Sequence, residues 1–343
     1  MDGTTEDRVN DAPVHGRLSA GTAPTPASCR ITGRDRNCPS PADRPVLDID
    51  ADWRLVRCAD CDVVLEDPLP TPAQLDGFYS SGWYAEQRGR FLPGVEAMLN
   101  WFMRTRMRWL RGRRPGRLLD YGSGKGRFLR VAKQEGWDVT GYEPVGPRGE
   151  FTEDRYGIRV YGGPVRELPP ELTDLDAITM FHVLEHLVDP HDTLLNVHER
   201  LADDGILVVA LPNIDSWQAR WGGRWWLHLH APMHLQHFSR QSLESTLDAA
   251  GFRVVQRGTW MAESNLFGWF QTIVNRVTGT HDLLFMTLKR VWRPRSRSDW
   301  KNLAAAVGVS ALLGLLFPLL VVLATIEAAM GRGAVLHVAA VKA

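Results

Sequence analysis

The sequence predicts an α/β protein with a doubly wound, seven-stranded, mostly parallel sheet. From Leu118 onward, short apolar runs alternate with stretches of helical periodicity, the order that builds a parallel sheet covered by helices on both faces. The first run leads into a turn with three alternate glycines, where folds of this class bind ligands. A small cysteine-rich module before the sheet and an apolar helical insertion before the last strand complete the predicted architecture.

Composition divides the 343 residues into six segments. The first, 1–28, is rich in Thr, Ala, Pro and Gly without an apolar period, which predicts a disordered lead. The others are a cysteine-rich, zinc-ribbon-like module at 29–70, a helical cap at 71–117, the sheet domain at 118–260, a helical insertion at 261–332 and the last strand at 333–343.

Seven apolar runs predict the strands of the sheet. In chain order they are RLLDYG, WDVTGYEP, IRVYGG, LDAITMF, GILVVALPN, FRVVQRGT and AVLHVAAVK.

The charge is balanced, with 40 Lys plus Arg and 40 Asp plus Glu. Overall charge therefore predicts no nucleic-acid partner. Four cysteines in a chain of this length do not indicate a disulfide scaffold, and no charged-then-apolar signal opens the sequence, so we expect a cytoplasmic protein. The sequence does not specify an oligomeric state.

The predicted glycine turn runs from Gly122 through Ser123, Gly124 and Lys125 to Gly126. Glycine suits a turn whose backbone must approach a ligand closely and adopt positive φ. Alone, the turn does not identify the cofactor, because nicotinamide and flavin enzymes use a similar one.

Two acidic residues narrow the choice of cofactor. Asp120 ends the first strand and would repel a pyrophosphate at the following helix N-terminus. S-Adenosylmethionine has no phosphate and carries a sulfonium and an α-ammonium group, which a carboxylate attracts. Glu143 ends the second strand and is placed to accept both ribose hydroxyls, a role that an acidic residue also has for NAD. Asp120 thus distinguishes the cofactors better than Glu143.

At these residues the sequence resembles the class I S-adenosylmethionine-dependent methyltransferases. LLDYGSGKG matches their Asp-x-Gly-x-Gly-x-Gly motif, and GYEP matches their second-strand acidic motif. FHVLEHLVDP is similar to the HxLEHxxDP segment of one branch, and PMHLQHFSRQSL to its Pro-x-His…Phe-Ser helix start. The resemblance covers about Leu118 to Phe252.

The resemblance implies a Rossmann-like methyltransferase fold, in which the last strand pairs antiparallel beside FRVVQRGT, and S-adenosylmethionine as cofactor. The implied cofactor-binding residues are Asp120, Tyr121, Gly122, Ser123, Gly124, Gly126, Glu143, Phe181 and His182. The family often has an acidic residue after the third strand that touches adenine, whereas this chain reads VYGGPVREL. Adenine is then held by backbone amides or by the region of Phe181 and His182.

The four cysteines are Cys29, Cys38, Cys58 and Cys61, and the last two have the Cys-x-x-Cys spacing at which two thiolates share a tetrahedral zinc. A subset of the resembled methyltransferases carries an N-terminal zinc ribbon ending in a phrase like RCADCDVVLEDPLP. In that subset the first pair also has two-residue spacing, whereas position 32 is threonine here and Cys38 must substitute from a longer loop. A structural zinc and unbound buried thiols both stay open.

The segment after the fifth strand, NIDSWQARWGGRWWLHLHAPMHLQHFS, is predicted at the sheet edge where ligands bind. We expect its aromatic side chains to stack on the acceptor and exclude water from methyl transfer. The predicted acceptor-binding residues are Trp217, Trp221, Trp225, Trp226 and His230.

Histidine is the expected base for transfer to a hydroxyl, because its pKa lies near neutrality. His234 matches the Pro-x-His position and is the first candidate, with an orienting role as an equal alternative. His186 is the second candidate. For Glu185 we favour a hydrogen-bond network at a helix start. A metal site built from these histidines is not favoured, because no acidic partner completes a familiar spacing.

The stretch from Leu303 to Ile326 contains 24 residues without a charge. As one helix it would rise about 36 Å, enough for a bilayer core of about 30 Å. Because the last strand must rejoin the sheet, we expect instead an insertion bent at Pro318 that enters one leaflet or lies at the interface. The basic residues expected to meet anionic headgroups are Lys289, Arg290, Arg293, Arg295, Arg297 and Lys301. A buried core helix or a dimerisation surface is the alternative.

These observations predict a methyltransferase at the inner face of the membrane, peripheral or monotopic, that methylates an acceptor oxygen. The expected acceptor is lipid-linked, isoprenoid, glycolipid or a secondary metabolite. N- or C-methylation of a sugar or small metabolite is an alternative. Two further classes are an NAD-dependent oxidoreductase, which Asp120 opposes, and a non-catalytic methyltransferase-like scaffold, which the intact donor motifs oppose.

Overall fold

The computed structural model describes residues 29–33, 44–80, 93–143, 148–163, 168–288 and 292–343. Its strands, in chain order, are β1 (Arg44–Asp48), β2 (Arg54–Arg57), β3 (Val64–Asp67), β4 (Arg117–Tyr121), β5 (Asp138–Tyr142), β6 (Val160–Tyr161), β7 (Leu175–Phe181), β8 (Leu201–Pro212), β9 (Gln236–His237), β10 (Phe252–Gly258) and β11 (Val335–Lys342).

The helices occupy the segments between these strands. They are α1 (Pro72–Ser80), α2 (Pro93–Arg106), α3 (Arg127–Gln134), α4 (Arg148–Tyr156), α5 (Pro190–Arg200), α6 (Trp217–Gly222), α7 (Arg240–Ala249), α8 (Ala262–Thr278), α9 (Leu283–Leu288), α10 (Arg297–Leu315) and α11 (Phe317–Ala329).

The larger sheet has seven strands in the order β10-β11-β8-β7-β4-β5-β6. The pairs within β8-β7-β4-β5-β6 are parallel, and β11 runs antiparallel to both β8 and β10. Each of the seven predicted runs forms one of these strands, and the predicted fold class is confirmed. Because β4 and β7 are parallel neighbours, Asp120 lies directly opposite Thr179 near the carboxyl edge of the sheet.

The smaller sheet is antiparallel in the order β1-β2-β3-β9. Its last strand comes from the segment after β8, so the cysteine-rich module completes its sheet with residues of the sheet domain. Cys29 and Cys58 share one buried cluster with Leu119 of β4 and Phe238 next to β9. A module of this size has too few apolar residues to bury by itself, and this shared core compensates.

The helical insertion lies between β10 and β11, as predicted. Helices α10 and α11 meet at 77°, two residues before Pro318, whose ring removes a backbone donor. In the described ranges no single helix is long and apolar enough to cross a membrane, and α10 with α11 satisfies that test only as a bent pair. Leu315 is 81% exposed at the bend.

Candidate functional site

The glycine turn joins β4 to α3 and has the backbone that the sequence predicts. Gly122, Gly124 and Gly126 all have positive φ, at 77°, 53° and 62°. A Cβ at Gly122 would lie 2.4 Å from a methyl of Val183, whereas a Cβ at Gly124 would meet nothing within 4 Å. Gly122 is therefore required by packing, and Gly124 presents backbone to open space where a ligand can approach.

Asp120 lies below this turn and is 4% exposed. Its Oδ1 accepts a hydrogen bond of 2.6 Å from the Thr179 hydroxyl. Burial raises the pKa of Asp120 to about 7, against smaller opposing effects of the Thr179 hydrogen bond and the Arg106 charge. A cationic ligand beside this carboxylate would favour its ionised form.

Glu143 follows β5 and is also buried. Its Oε2 accepts a hydrogen bond of 2.7 Å from the backbone N–H of Gly124. The carboxylate thus contacts the open part of the glycine turn. Asp120 and Glu143 lie on the neighbouring strands β4 and β5, and the pKa of Asp120 is raised further by the Glu143 charge.

The other predicted cofactor residues divide into core and edge positions. Tyr121 is fully buried and its ring packs 4.9 Å from that of Tyr142. Ser123 is 7% exposed at the turn. Phe181 ends β7 with its ring 4.9 Å from the ring of Phe128, and the next residue, His182, has a left-handed φ of 57°. Residues 164–167 are outside the described ranges, and the adenine contact stays an open prediction.

A cluster of histidines lies beyond the end of β7. We define the histidine cluster as Glu185 together with His182, His186, His228, His230, His234 and His237. The ring of His234 lies 4.5 Å from that of His186, 5.1 Å from that of His230 and 5.9 Å from that of His237. The cluster joins the short helical turn after β7 to the loop that enters β9.

His234 is 5% exposed, and burial together with neighbouring imidazoles holds its pKa well below the usual range. Burial also lowers the pKa of His237 to about 4. Both rings are therefore neutral at physiological pH. His186 is only half-buried, so it is the more accessible of the two predicted bases.

Glu185 is 1% exposed, and its carboxylate oxygens accept no hydrogen bond from the described residues. His182 Nδ1 lies 3.3 Å from Glu185 Oε1, a distance suited to an ion pair, but without hydrogen-bond geometry. The hydrogen-bond network expected for Glu185 is therefore wrong. The acidic partner that sequence spacing did not reveal lies within the histidine cluster.

The predicted acceptor residues do not converge on one surface. Trp226 is 1% exposed and packs with Leu55 of β2. Trp221 is exposed, and its ring centre lies 5.8 Å from that of Trp269. Trp217 packs against the buried cluster that contains Trp269. The ring centre of Trp225 lies 4.8 Å from that of His281. His230 belongs to the histidine cluster, and the Trp226 ring packs against the same cluster, 5.8 Å from His228 and 6.0 Å from His237 between ring centres.

A small cavity of about 70 Å³ lies between α2, α8 and β11. Its lining includes Trp101, Arg106, Trp260 and His337. The Arg106 guanidinium lies 4.8 Å from the centre of the Phe181 ring, which links the cavity to the end of β7. Sequence reasoning missed Arg106 and His337, because no local motif relates residues so far apart in the chain.

Three of the predicted metal ligands, Cys29, Cys58 and Cys61, are buried in one core cluster. The fourth, Cys38, lies outside the described residues. The zinc ligand set therefore stays a prediction.

The chain matches a known family at the sequence level. A family model described as a methyltransferase domain matches residues 86–257. A search of curated protein sequences gave no match.

Solved structures similar to this chain include three methyltransferases. The 1,6-didemethyltoxoflavin-N1-methyltransferase of Burkholderia thailandensis is 22% identical, over 62% of this chain and 90% of its own, with a TM-score of 0.43. A methyltransferase of Archaeoglobus fulgidus is 18% identical, over 72% and 94%, with a TM-score of 0.44. The CcbJ methyltransferase of Streptomyces caelestis is 16% identical, over 48% and 80%, with a TM-score of 0.37.

Proposed function

Because the chain belongs to the methyltransferase-domain family, as a class I S-adenosylmethionine-dependent methyltransferase, we propose that it methylates an acceptor oxygen. The proposed acceptor is a lipid-linked, isoprenoid or glycolipid alcohol, or a hydroxylated secondary metabolite. The observation that carries the choice of oxygen is the histidine cluster beyond β7, where His186 is only half-buried and could take a hydroxyl proton.

The donor would bind across the carboxyl ends of β4 and β5. Asp120 would attract the α-ammonium and sulfonium groups, directly or through water, and Glu143 would accept the ribose hydroxyls. Gly124 leaves room for the close approach of the ligand to the backbone. Tyr121 and Phe181 stay proposed donor-binding residues, and the ring of Phe128 packs 4.9 Å from that of Phe181 between ring centres.

Methyl transfer requires alignment, a dry pocket and removal of one proton. The acceptor oxygen attacks the methyl carbon as the carbon–sulfur bond breaks, and S-adenosylhomocysteine leaves with the electron pair on sulfur. His186 and His234 are the proposed groups for proton removal. Val183, two residues before Glu185, lies where a side chain at Gly122 would be, and this proximity of the histidine cluster to the donor turn supports the proposal.

Isotope transfer tests this function. The full chain is incubated with methyl-labelled S-adenosylmethionine and with lipid and metabolite extracts. Carbon NMR of the labelled product should show a methyl group bonded to oxygen. Asp120→Asn should abolish most labelling, and Asp138→Asn, an exposed change at the opposite end of β5, should not. A labelled N-methyl or C-methyl product would overturn the choice of oxygen and leave the donor assignment intact.

We also propose that the bend between α10 and α11 inserts into the outer part of an anionic lipid leaflet. Large apolar side chains are exposed there, including Leu315, Phe317 and Leu319. Moving one fully exposed leucine side chain from water into the apolar part of the leaflet would favour binding by about 2 kcal/mol. The exposed basic residues Arg293, Arg295, Arg297 and Lys301 precede or open α10 and could bind headgroup phosphates.

Vesicle flotation tests the lipid proposal. The full chain should float with vesicles that contain phosphatidylglycerol and remain behind with phosphatidylcholine alone. Leu315→Glu with Leu319→Glu should abolish flotation, whereas Leu195→Glu, an equivalent change on exposed α5, should not. Loss of a dimer in the double variant, without any flotation by the unmodified chain, would instead assign the bend to dimerisation.

We also propose that the cysteine module binds a structural zinc. The three described cysteines are buried in one cluster, and Cys38 would complete a set of four thiolates. Elemental analysis should find about one zinc fewer in purified Cys58→Ser than in the unmodified chain. An unchanged zinc content in that variant would favour unbound thiols.

A further inference from the structure

Glu185, His186 and His234 form a compact group of possible metal ligands. One ligand atom from each residue lies within 4.8 Å of the other two. Glu185 and His186 belong to the helical turn Leu184–His186 after β7, and His234 lies in the loop before β9. The two imidazole rings are 4.5 Å apart with an interplanar angle of 76°. Within the described residues this is the only such group.

Backbone carbonyls hold both imidazoles in one orientation. His186 Nδ1 lies 3.0 Å from the carbonyl oxygen of Met233, and His234 Nδ1 lies 2.9 Å from that of His228. A carbonyl oxygen only accepts, so Nδ1 carries the proton in each neutral ring and Nε2 carries the lone pair. Metal-binding histidines commonly donate their second ring N–H in this way, which fixes the direction of the ligand nitrogen.

The carboxylate of Glu185 is a second, independent indication. Glu185 is only 1% exposed, and no described residue donates a hydrogen bond to either carboxylate oxygen. Burial removes water from a carboxylate, and without donors the protein does not replace that hydration. A divalent cation between Glu185 and the two imidazoles would compensate the charge.

We propose that Glu185, His186 and His234 bind one divalent transition-metal ion. Two imidazole nitrogens and one carboxylate oxygen suit Zn²⁺, Fe²⁺, Co²⁺ or Mn²⁺ and leave coordination positions for other ligands. The loop before β9 would thereby be tied to the end of β7. This site is separate from the cysteine module, since none of its ligands is a thiolate.

The role of the ion rests on the proposed methyl transfer. An acceptor hydroxyl bound to a divalent cation loses its proton more readily, and the proton passes to water. The resulting oxygen anion attacks the methyl carbon, and the carbon–sulfur bond breaks to release S-adenosylhomocysteine. On this assignment His186 and His234 act as ligands instead of bases, which fits the burial of His234.

Cobalt titration of the full chain, after removal of bound metal with a chelator, tests the site directly. Co²⁺ bound by nitrogen and oxygen gives visible ligand-field bands, whereas Co²⁺ in the cysteine module adds thiolate charge-transfer bands in the near ultraviolet. We expect one equivalent without charge-transfer character. Glu185→Gln, which keeps the side-chain volume, and His186→Ala should each weaken this binding at least tenfold. The matched control is His198→Ala on α5, which should bind Co²⁺ as the unmodified chain does.

Donor affinity is measured in the same samples, by calorimetry with S-adenosylhomocysteine. Retained donor affinity in Glu185→Gln shows that the variant is folded, and weakened Co²⁺ binding then supports the site. Equal Co²⁺ affinity in Glu185→Gln, His186→Ala and the unmodified chain would overturn the proposal, as would the absence of any Co²⁺ other than thiolate-bound Co²⁺. Because Co²⁺ is read without methyl transfer, failure of the proposed function would appear separately, as missing donor affinity or product.

Discussion

Replacing Asp120 by asparagine separates the electrostatic role of this residue from its role in packing. The substitution keeps the shape of the side chain and an oxygen that accepts the 2.6 Å hydrogen bond from Thr179. It removes the negative charge that we assign to the cationic donor. Donor affinity and stability should therefore change in opposite directions.

The expected loss of affinity follows from the charge. Two unit charges about 4 Å apart attract by about 4 kcal/mol at an effective dielectric constant of about 20. Desolvation offsets part of this, and a charge-assisted hydrogen bond has a net value of about 2 kcal/mol. Donor binding should then weaken about 30-fold in Asp120→Asn.

Without donor, Asp120→Asn should be more stable than the unmodified chain at alkaline pH. Asp120 is 4% exposed, and burial raises its pKa from 3.8 to about 7. Because folding raises this carboxyl pKa, the protonated form of Asp120 stabilises the folded chain, and that stability is lost as pH rises through about 7. At about pH 8 the ionised carboxylate lowers the free energy of unfolding by up to about 4 kcal/mol, and asparagine avoids this cost. Urea unfolding without donor measures this gain.

Calorimetry as a function of pH is the decisive assay for Asp120. A cationic donor binds the ionised carboxylate better, so donor binding displaces a proton below the pKa. The ratio of unmodified to Asp120→Asn affinity should rise about tenfold per unit up to about pH 7 and then level off. Titration of the donor itself is common to both proteins and cancels in the ratio.

The control for this experiment is Asp138→Asn, at the opposite end of β5. It should match the unmodified chain at every pH. An affinity ratio for Asp120→Asn that stays near one from about pH 5.5 to about pH 8.5 would refute the electrostatic assignment.

Two further substitutions test the packing of the turn and of the insertion. Gly122→Ala combines a φ of 77° with a Cβ 2.4 Å from Val183, so it should lower the free energy of unfolding in urea by about 2–3 kcal/mol. The control is Gly112→Ala, where φ is 82° but the space is open, and it should cost about 1 kcal/mol. The Trp269 indole N–H is buried and donates a hydrogen bond of 2.8 Å to Glu327 Oε2. Glu327→Ala removes this acceptor and should lower the free energy of unfolding by about 2–4 kcal/mol, whereas Glu327→Gln keeps an acceptor oxygen and should cost less. Equal costs within either pair would contradict the packing argument.

The strands and the glycine turn could be predicted because local sequence encodes them. Each strand is an apolar run of the right length, and the positive φ at Gly122, Gly124 and Gly126 follows from their spacing between β4 and α3. The antiparallel return of the last strand followed from the family resemblance. The bend near Pro318 followed from the chemistry of one residue.

The contacts between distant segments could not be predicted in the same way. Nothing local shows that β9 joins the cysteine module, since pairing of Leu65 with Gln236 depends on the whole fold. For the same reason the sequence did not show that Glu185 lies beside His234. The pattern of tryptophans indicated aromatic stacking on the acceptor, but it could not show that Trp226 lies in a buried cluster with Leu55.

Calorimetry of the purified full chain with S-adenosylmethionine and, separately, with NAD tests the central claim most directly. We predict saturable heat with S-adenosylmethionine at about one equivalent, greatly reduced in Asp120→Asn, and no heat with NAD. Saturable binding of NAD together with no heat from S-adenosylmethionine would contradict the account.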